Sequence, residues 1–201
     1  MAVDNPIVEK KIVFSELLDE LRRIVVSSQV WVDPEKLEAY SHDETDAKTY
    51  GHMPDAVVFP KTVEEVSEIV KLANRHRFPL IPRGAGSGLS GGAGMVTNDF
   101  ARAVEEKGLF YAGYPMSLET CCIGGNIAEN AGGGKAIKYG VTGRYILGIE
   151  LVTPRGDVVW LGGKLSKDVT GYDLKSIIIG SEGTLGIVTK AIVTLIGLPT
   201  A

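Results

Sequence analysis

Apolar residues along the chain fall into two periods, and the switches between them mark its elements. Leu17, Leu18, Leu21, Ile24 and Val25 recur at helical spacing, with Ser15 placed as an N-cap. Asp33 followed by Pro34 predicts a second, short helix that carries Leu37 and Tyr40 inward. Asp55-Ala56-Val57-Val58-Phe59-Pro60 reads as a buried strand closed by proline. Thr62-Val63-Glu64-Glu65 then forms a capping box, and Val66, Ile69, Val70 and Ala73 make one apolar face behind it. With the strand-like Phe78-Pro79-Leu80-Ile81, the order from Asp55 to Gly92 is strand, helix, strand and glycine loop. That order predicts a βαβ-like unit delivering the loop to a sheet edge.

The second half is richer in glycine and in strands. Thr97 to Lys107 reads as a helix with Phe100, Ala101 and Val104 on one side and Gly108 as its C-terminal glycine cap. Ile146 to Val152 and Val158 to Trp160 predict a hairpin of scaffold character around the turn Thr153-Pro154-Arg155-Gly156-Asp157. Ser176 to Ile179 leads into another glycine-rich stretch, and Val188 to Leu195 closes with a β-rich run.

Composition narrows the chemistry. The 25 glycines concentrate between Gly84 and Gly186, where many backbone sites therefore need unusual dihedrals or close ligand approach. A formal net charge of -4 without a basic cluster argues against a nucleic-acid partner. Cys121 and Cys122 are adjacent, which is neither a metal spacing nor a disulfide framework, and points to a reducing compartment. The N-terminus lacks the apolar core of a signal peptide, and no apolar run reaches membrane-spanning length. These features predict a soluble, cytoplasmic protein with no membrane span. No metal site is expected either, since His42, Asp43 and Asp46 lack ligand spacing and read as a solvated turn.

Candidate chemistry centres on Pro82-Arg83-Gly84-Ala85-Gly86-Ser87-Gly88-Leu89-Ser90-Gly91-Gly92. Glycine permits the positive-φ turns that aim consecutive N–H donors at one anion, so the natural ligand is a phosphate or pyrophosphate. The nicotinamide-type fingerprint fits poorly, because Ser90-Gly91-Gly92-Ala93-Gly94 is a weak helix start. A P-loop is excluded, since neither Lys135 nor Lys164 is followed by a hydroxyl residue. A second stretch, Cys122-Ile123-Gly124-Gly125-Asn126 through Asn130 and Gly132, admits two readings: backbone and amides lining a planar polar ligand, or a tight helix start that needs small residues.

These motifs together with Gly180-Ser181-Glu182-Gly183-Thr184-Leu185-Gly186-Ile187 resemble the FAD-binding domain of the FAD-linked oxidases of the vanillyl-alcohol oxidase and p-cresol methylhydroxylase type. Within them the chain is most similar to the glycolate oxidase flavin subunit and FAD-dependent D-lactate dehydrogenase branch. The likeness runs from about Glu35 to the C-terminus. It implies an α+β fold of two α/β subdomains with mixed sheets flanked by helices, residues 1–95 and 96–201. It also implies that Arg83, Gly84, Ala85, Gly86, Ser87, Gly88, Ser90, Gly91 and Gly92 wrap the FAD pyrophosphate. Cys122, Gly124, Gly125, Asn126, Asn130 and Gly132 would lie along the flavin, and Gly183 and Ile187 would help close the pocket. Some relatives carry a covalent histidine in the first loop, where this chain has Ser87, so FAD is expected to be held noncovalently. Other relatives use a cysteine near the second motif, which draws attention to Cys121 and Cys122.

The chain departs from that pattern in two places. Relatives have a strand-rich segment between the first loop and the helix near Thr97, whereas here Met95 runs directly into Val96, so a few tens of residues of the second subdomain are missing. The cap domain that carries substrate-binding arginines, metal-ligating histidines and the catalytic base also has no counterpart. The resemblance therefore implies a 2-hydroxy-acid dehydrogenase or oxidase whose catalytic residues are not assigned in this chain. The implied partners are a small 2-hydroxy acid and an electron-transfer flavoprotein or iron–sulfur subunit. A UDP-N-acetylenolpyruvoylglucosamine reductase-like enzyme and an inactive flavin-binding or docking module are the alternatives.

Overall fold

The computed structural model describes residues 13–42, 48, 51–84, 95–165 and 167–198. Helix α1 (Phe14–Ile24) begins two residues earlier than the serine predicts: Val13 is its N-cap and no side chain caps it. Short α2 (Pro34–Leu37) starts as expected, with the Asp33 carboxylate accepting from the Glu35 N–H at 3.2 Å. The capping box before α3 (Val63–His76) is complete, because Thr62 Oγ1 accepts from Glu65 N–H and Glu65 Oε2 accepts from the Thr62 and Lys61 N–H groups. Leu18, Leu21 and Val25 of the α1 region pack with Ile69 and Leu72 of α3 and with Val30, forming one core.

The expected βαβ unit takes another form. Strands β1 (Val30–Trp31) and β2 (Val57–Val58) pair antiparallel, whereas residues 78–81 carry no strand. Pro79 within that segment and Pro82 directly after it lack backbone N–H donors, which works against ladder pairing there.

Helix α4 (Thr97–Glu105) ends near Gly108, whose φ of 72° supplies the left-handed turn expected of it. After β3 (Leu109–Phe110) come α5 (Ile123–Glu129) and α6 (Ala136–Tyr139). Then β4 (Ile146–Val152) and β5 (Val158–Gly162) make the predicted hairpin, with Gly156 at φ 88° in its turn. Helix α7 (Leu174–Ile178) precedes β6 (Ile187–Val193) and β7 (Ile196–Gly197). The order β5-β4-β6 is antiparallel throughout, as is the pair β3-β7.

Central β4 is buried on both faces. Ile149 and Leu151 meet Ile127 of α5 and Ile178 of α7, and Ile146, Tyr145, Phe110 and Val104 extend the core toward α4. Glu150 is the polar exception: its carboxylate accepts from Lys190 Nζ at 2.9 Å and from Thr189 Oγ1 at 2.8 Å. The bond to Lys190 joins the cross-strand pair Glu150↔Lys190 just before a bulge, which holds the β4–β6 register where it is weakest. Helix α3 docks on this sheet through the hairpin turn. Ser67 Oγ donates to Gly156 O at 2.5 Å and Asn74 Nδ2 to Pro154 O at 2.7 Å, so the scaffold hairpin also carries the contact between the two halves.

Candidate cofactor-binding site

Of the first glycine loop, Arg83 and Gly84 are described; Ala85, Gly86, Ser87, Gly88, Ser90, Gly91 and Gly92 lie outside the described residues. The Arg83 side chain reaches back to the first helices. Nη1 donates to His42 O at 2.9 Å, Nη2 to Ala39 O at 3.4 Å, and the guanidinium lies 5.5 Å from the Tyr40 ring centroid.

The second and third motifs meet at α5. Cys122, buried and extended at φ -109°, is the helix N-cap. Gly124 and Gly125 form the first turn, where helical N–H groups have no partner within the helix. A Cβ at Gly125 would meet nothing within 4 Å, so the helix start opens onto free space there. At the other end of the helix, Ile127 O accepts Gly180 N–H at 3.0 Å and Ala128 O accepts Glu182 N–H at 2.8 Å. Gly180, Glu182 and Gly183 all take positive φ to make this docking turn. The turn then runs into Ile187, the half-buried first residue of β6, which pairs with Val152.

Both asparagines are structural in their side chains. Asn126 is 2% exposed and donates from Nδ2 to Thr97 Oγ1 at 2.8 Å, a hydroxyl that also accepts from Cys121 Sγ at 3.2 Å. Asn130 closes α5 in the left-handed conformation at φ 49°, and its Oδ1 accepts Gly143 N–H at 2.8 Å. Asn126 Nδ2 and Asn130 Oδ1 are thus engaged within the protein. Gly132 sits against Val141, whose Cγ1 would be 2.9 Å from an added Cβ.

Sequence reasoning passed over the hydroxyls beneath this helix. Thr97 and Thr142 are fully buried, and Thr142 Oγ1 donates toward Gly113 O and Ala131 O at 2.9 and 2.8 Å, stitching the strand-side and helix-side segments together. Nothing in the sequence separates such a threonine from one on the surface. Tyr111 is fully buried beside them without a hydrogen-bond partner for its hydroxyl among the described residues, and burial pushes its pKa up to about 12.

The profile of the FAD binding domain family matches residues 54–96 and 91–162. The chain belongs to this family. Among the described residues, the start of α5 leaves space at Gly125, and its first-turn N–H groups have no partner within the helix, an arrangement that fits a polar ligand such as FAD. The chain is 44% identical over 191 residues to glycolate oxidase subunit GlcD of Bacillus subtilis, covering 80% of this chain and 40% of that protein. It is 38% identical over 215 residues to D-2-hydroxyglutarate dehydrogenase of Stutzerimonas stutzeri, covering 92% of this chain and 46% of that one. Among solved structures, alkyldihydroxyacetonephosphate synthase matches 100% of the chain and 44% of its own length at TM-score 0.78 and 23% identity. Substrate-bound p-cresol methylhydroxylase matches 94% of the chain and 44% of its own length at TM-score 0.76 and 20% identity. These last two likenesses show the fold.

The chain spans less than half the length of each of these relatives. The Stutzerimonas alignment covers 215 residues, while 92% of 201 is about 185, so about 30 positions are filled by the relative alone. The family profile matches in two stretches that overlap at residues 91–96, beside the Met95–Val96 junction. No described helix is long and apolar enough to cross a membrane.

Proposed function

We propose that this chain is the FAD-binding part of a flavin-dependent 2-hydroxy-acid dehydrogenase or oxidase of the glycolate or D-lactate type. The observation that carries the reading is the 44% identity to a glycolate oxidase subunit across 80% of the chain. When bound, FAD supplies the hydride acceptor for the substrate Cα and passes electrons onward to a protein or quinone acceptor. The chain's own residues hold and orient it. Residues 83–92 form the pyrophosphate loop, with backbone N–H groups as donors. Cys122, Gly124, Gly125, Asn126, Asn130 and Gly132 shape the flavin side, Asn126 and Asn130 through the backbone they fix. Gly183 and Ile187 close the far wall. With Ser87 in the loop the cofactor is held noncovalently, and no catalytic base is assigned here.

The two subdomains of this reading are residues 1–95 and 96–201, supported by one core built from residues 18–78 and two from residues beyond 100. The buried cysteines Cys121 and Cys122, neither of them in a disulfide, suit a cytoplasmic setting. The partners are a small 2-hydroxy acid and an electron-transfer flavoprotein or iron–sulfur subunit.

Incubating the purified chain with FAD, removing excess by gel filtration and recording the visible spectrum tests the reading. Stoichiometric yellow protein that denaturant strips of flavin is expected. A chain that takes up no FAD overturns the proposal, and flavin bleached by NADPH but by no 2-hydroxy acid overturns the substrate assignment.

A further inference from the structure

Arg83 precedes the glycine run, and its guanidinium reaches back to a different part of the chain. The carbonyls it meets are Ala39 O, within the helical turn at residues 38–40 that follows α2, and His42 O, two residues beyond that turn. A carbonyl oxygen is an acceptor that suits a guanidinium donor. The same guanidinium covers Tyr40. Tyr40 in turn packs edge-on against Trp31 at 6.2 Å and Phe59 at 5.9 Å, and these two rings lie 4.7 Å apart across the β1–β2 pair. Arg83 therefore links the stem of the loop, over 41 to 44 residues of sequence, to the aromatic cluster beside the β1–β2 pair.

We propose that Arg83 is a positioning residue for FAD. It anchors the entrance of the glycine loop to the turn at residues 39–42 and supports binding through that anchorage, not as a ligand of the pyrophosphate. The proposal rests on the reading of residues 83–92 as the FAD loop. A glycine-rich segment loses much conformational freedom on ordering, and a fixed stem reduces that cost before the ligand arrives. The planar fork matters, because a lysine offers one point charge where two carbonyls and a ring face are engaged together.

The test compares the wild-type chain with Arg83→Gln, Arg83→Lys, Tyr40→Leu and the Arg83→Gln/Tyr40→Leu double variant. FAD affinity is measured at low and high salt, and urea unfolding is followed on the FAD-free chain. Anchorage predicts that Arg83→Gln raises the Kd for FAD about tenfold and that Arg83→Lys fails to restore it. The salt dependence of Kd keeps its wild-type slope, and the double variant is no weaker than the weaker single one. Full rescue by lysine with a flattened salt dependence in Arg83→Gln makes Arg83 a phosphate ligand and overturns the proposal. Additive losses from Arg83→Gln and Tyr40→Leu overturn it as well. Should Tyr40→Leu unfold the chain, the lysine and salt readouts decide. A wild-type chain that takes up no FAD overturns the cofactor reading; the anchorage is then judged by the coupling of Arg83 and Tyr40 in the urea midpoints, which additivity refutes.

Discussion

Asn126 is where a ligand role and a structural role make opposite forecasts. Its amide donates to Thr97 Oγ1 at 2.8 Å, with Asn126 2% exposed and Thr97 fully buried. Truncation by Asn126→Ala removes that hydrogen bond, worth about 1 kcal/mol net, and leaves the Thr97 oxygen with the weak Cys121 thiol donor, costing about 1 kcal/mol more. The small void adds to this, so a loss of at least about 2 kcal/mol is expected. At a urea slope of about 2 kcal/mol per molar, the midpoint falls by about 1 M. For a chain of this size the thermal midpoint falls by about 4–8 °C. Urea and thermal melts of the FAD-free chain measure both. A companion variant, Asn126→Leu with Thr97→Val, replaces both partners by apolar groups and recovers part of the loss. If Asn126→Ala leaves the FAD-free midpoints unchanged while weakening FAD, the inward amide has no structural role and the reasoning fails.

Glycines beside the site divide in the same manner. Gly133→Ala drives a Cβ to 2.8–2.9 Å from Tyr114 O, Met116 N and Pro115 C, all backbone, so a loss of about 1–3 kcal/mol in urea melts is expected. Gly125→Ala meets open space inside a helix and is expected to stabilise the FAD-free chain by about 0.5–1 kcal/mol while raising the Kd for FAD; unchanged affinity would remove Gly125 from the site. Tyr111 adds a pH dependence. Its folded pKa, raised to about 12 by burial, lies above the unfolded value near 10, so its contribution is present below about pH 10 and is lost as pH rises toward 12. That loss is of order 2 kcal/mol and should vanish in Tyr111→Phe, as read from unfolding at stepped alkaline pH; an identical alkaline profile in both proteins would refute it.

Local signals were legible wherever the chain carries its own instruction. The Thr62–Glu65 box, the Asp33–Pro34 start, the Gly108 turn and the β4–β5 hairpin all depend on neighbours within a few residues, and all stand where periodicity and capping place them. The motif residues Gly180 and Gly183 were likewise visible as backbone sites with special demands, and both take positive φ. Apolar character alone could not show that residues 78–81 carry no strand, because a strand exists only when a partner accepts its donors, and the prolines at 79 and 82 have none to give. Nor could it orient Asn126, Asn130 or Arg83. Each is a polar group whose partner lies 13 to 44 residues away, and either ligand or backbone satisfies its chemistry equally well. The amino-acid sequence by itself therefore determined the caps and glycine turns, which are properties of short range, and carried the motifs through whose resemblance the family and its FAD were recognised. Tertiary structure alone decided which polar side chains face inward, because a buried donor must find its acceptor and only the packed chain brings the two together.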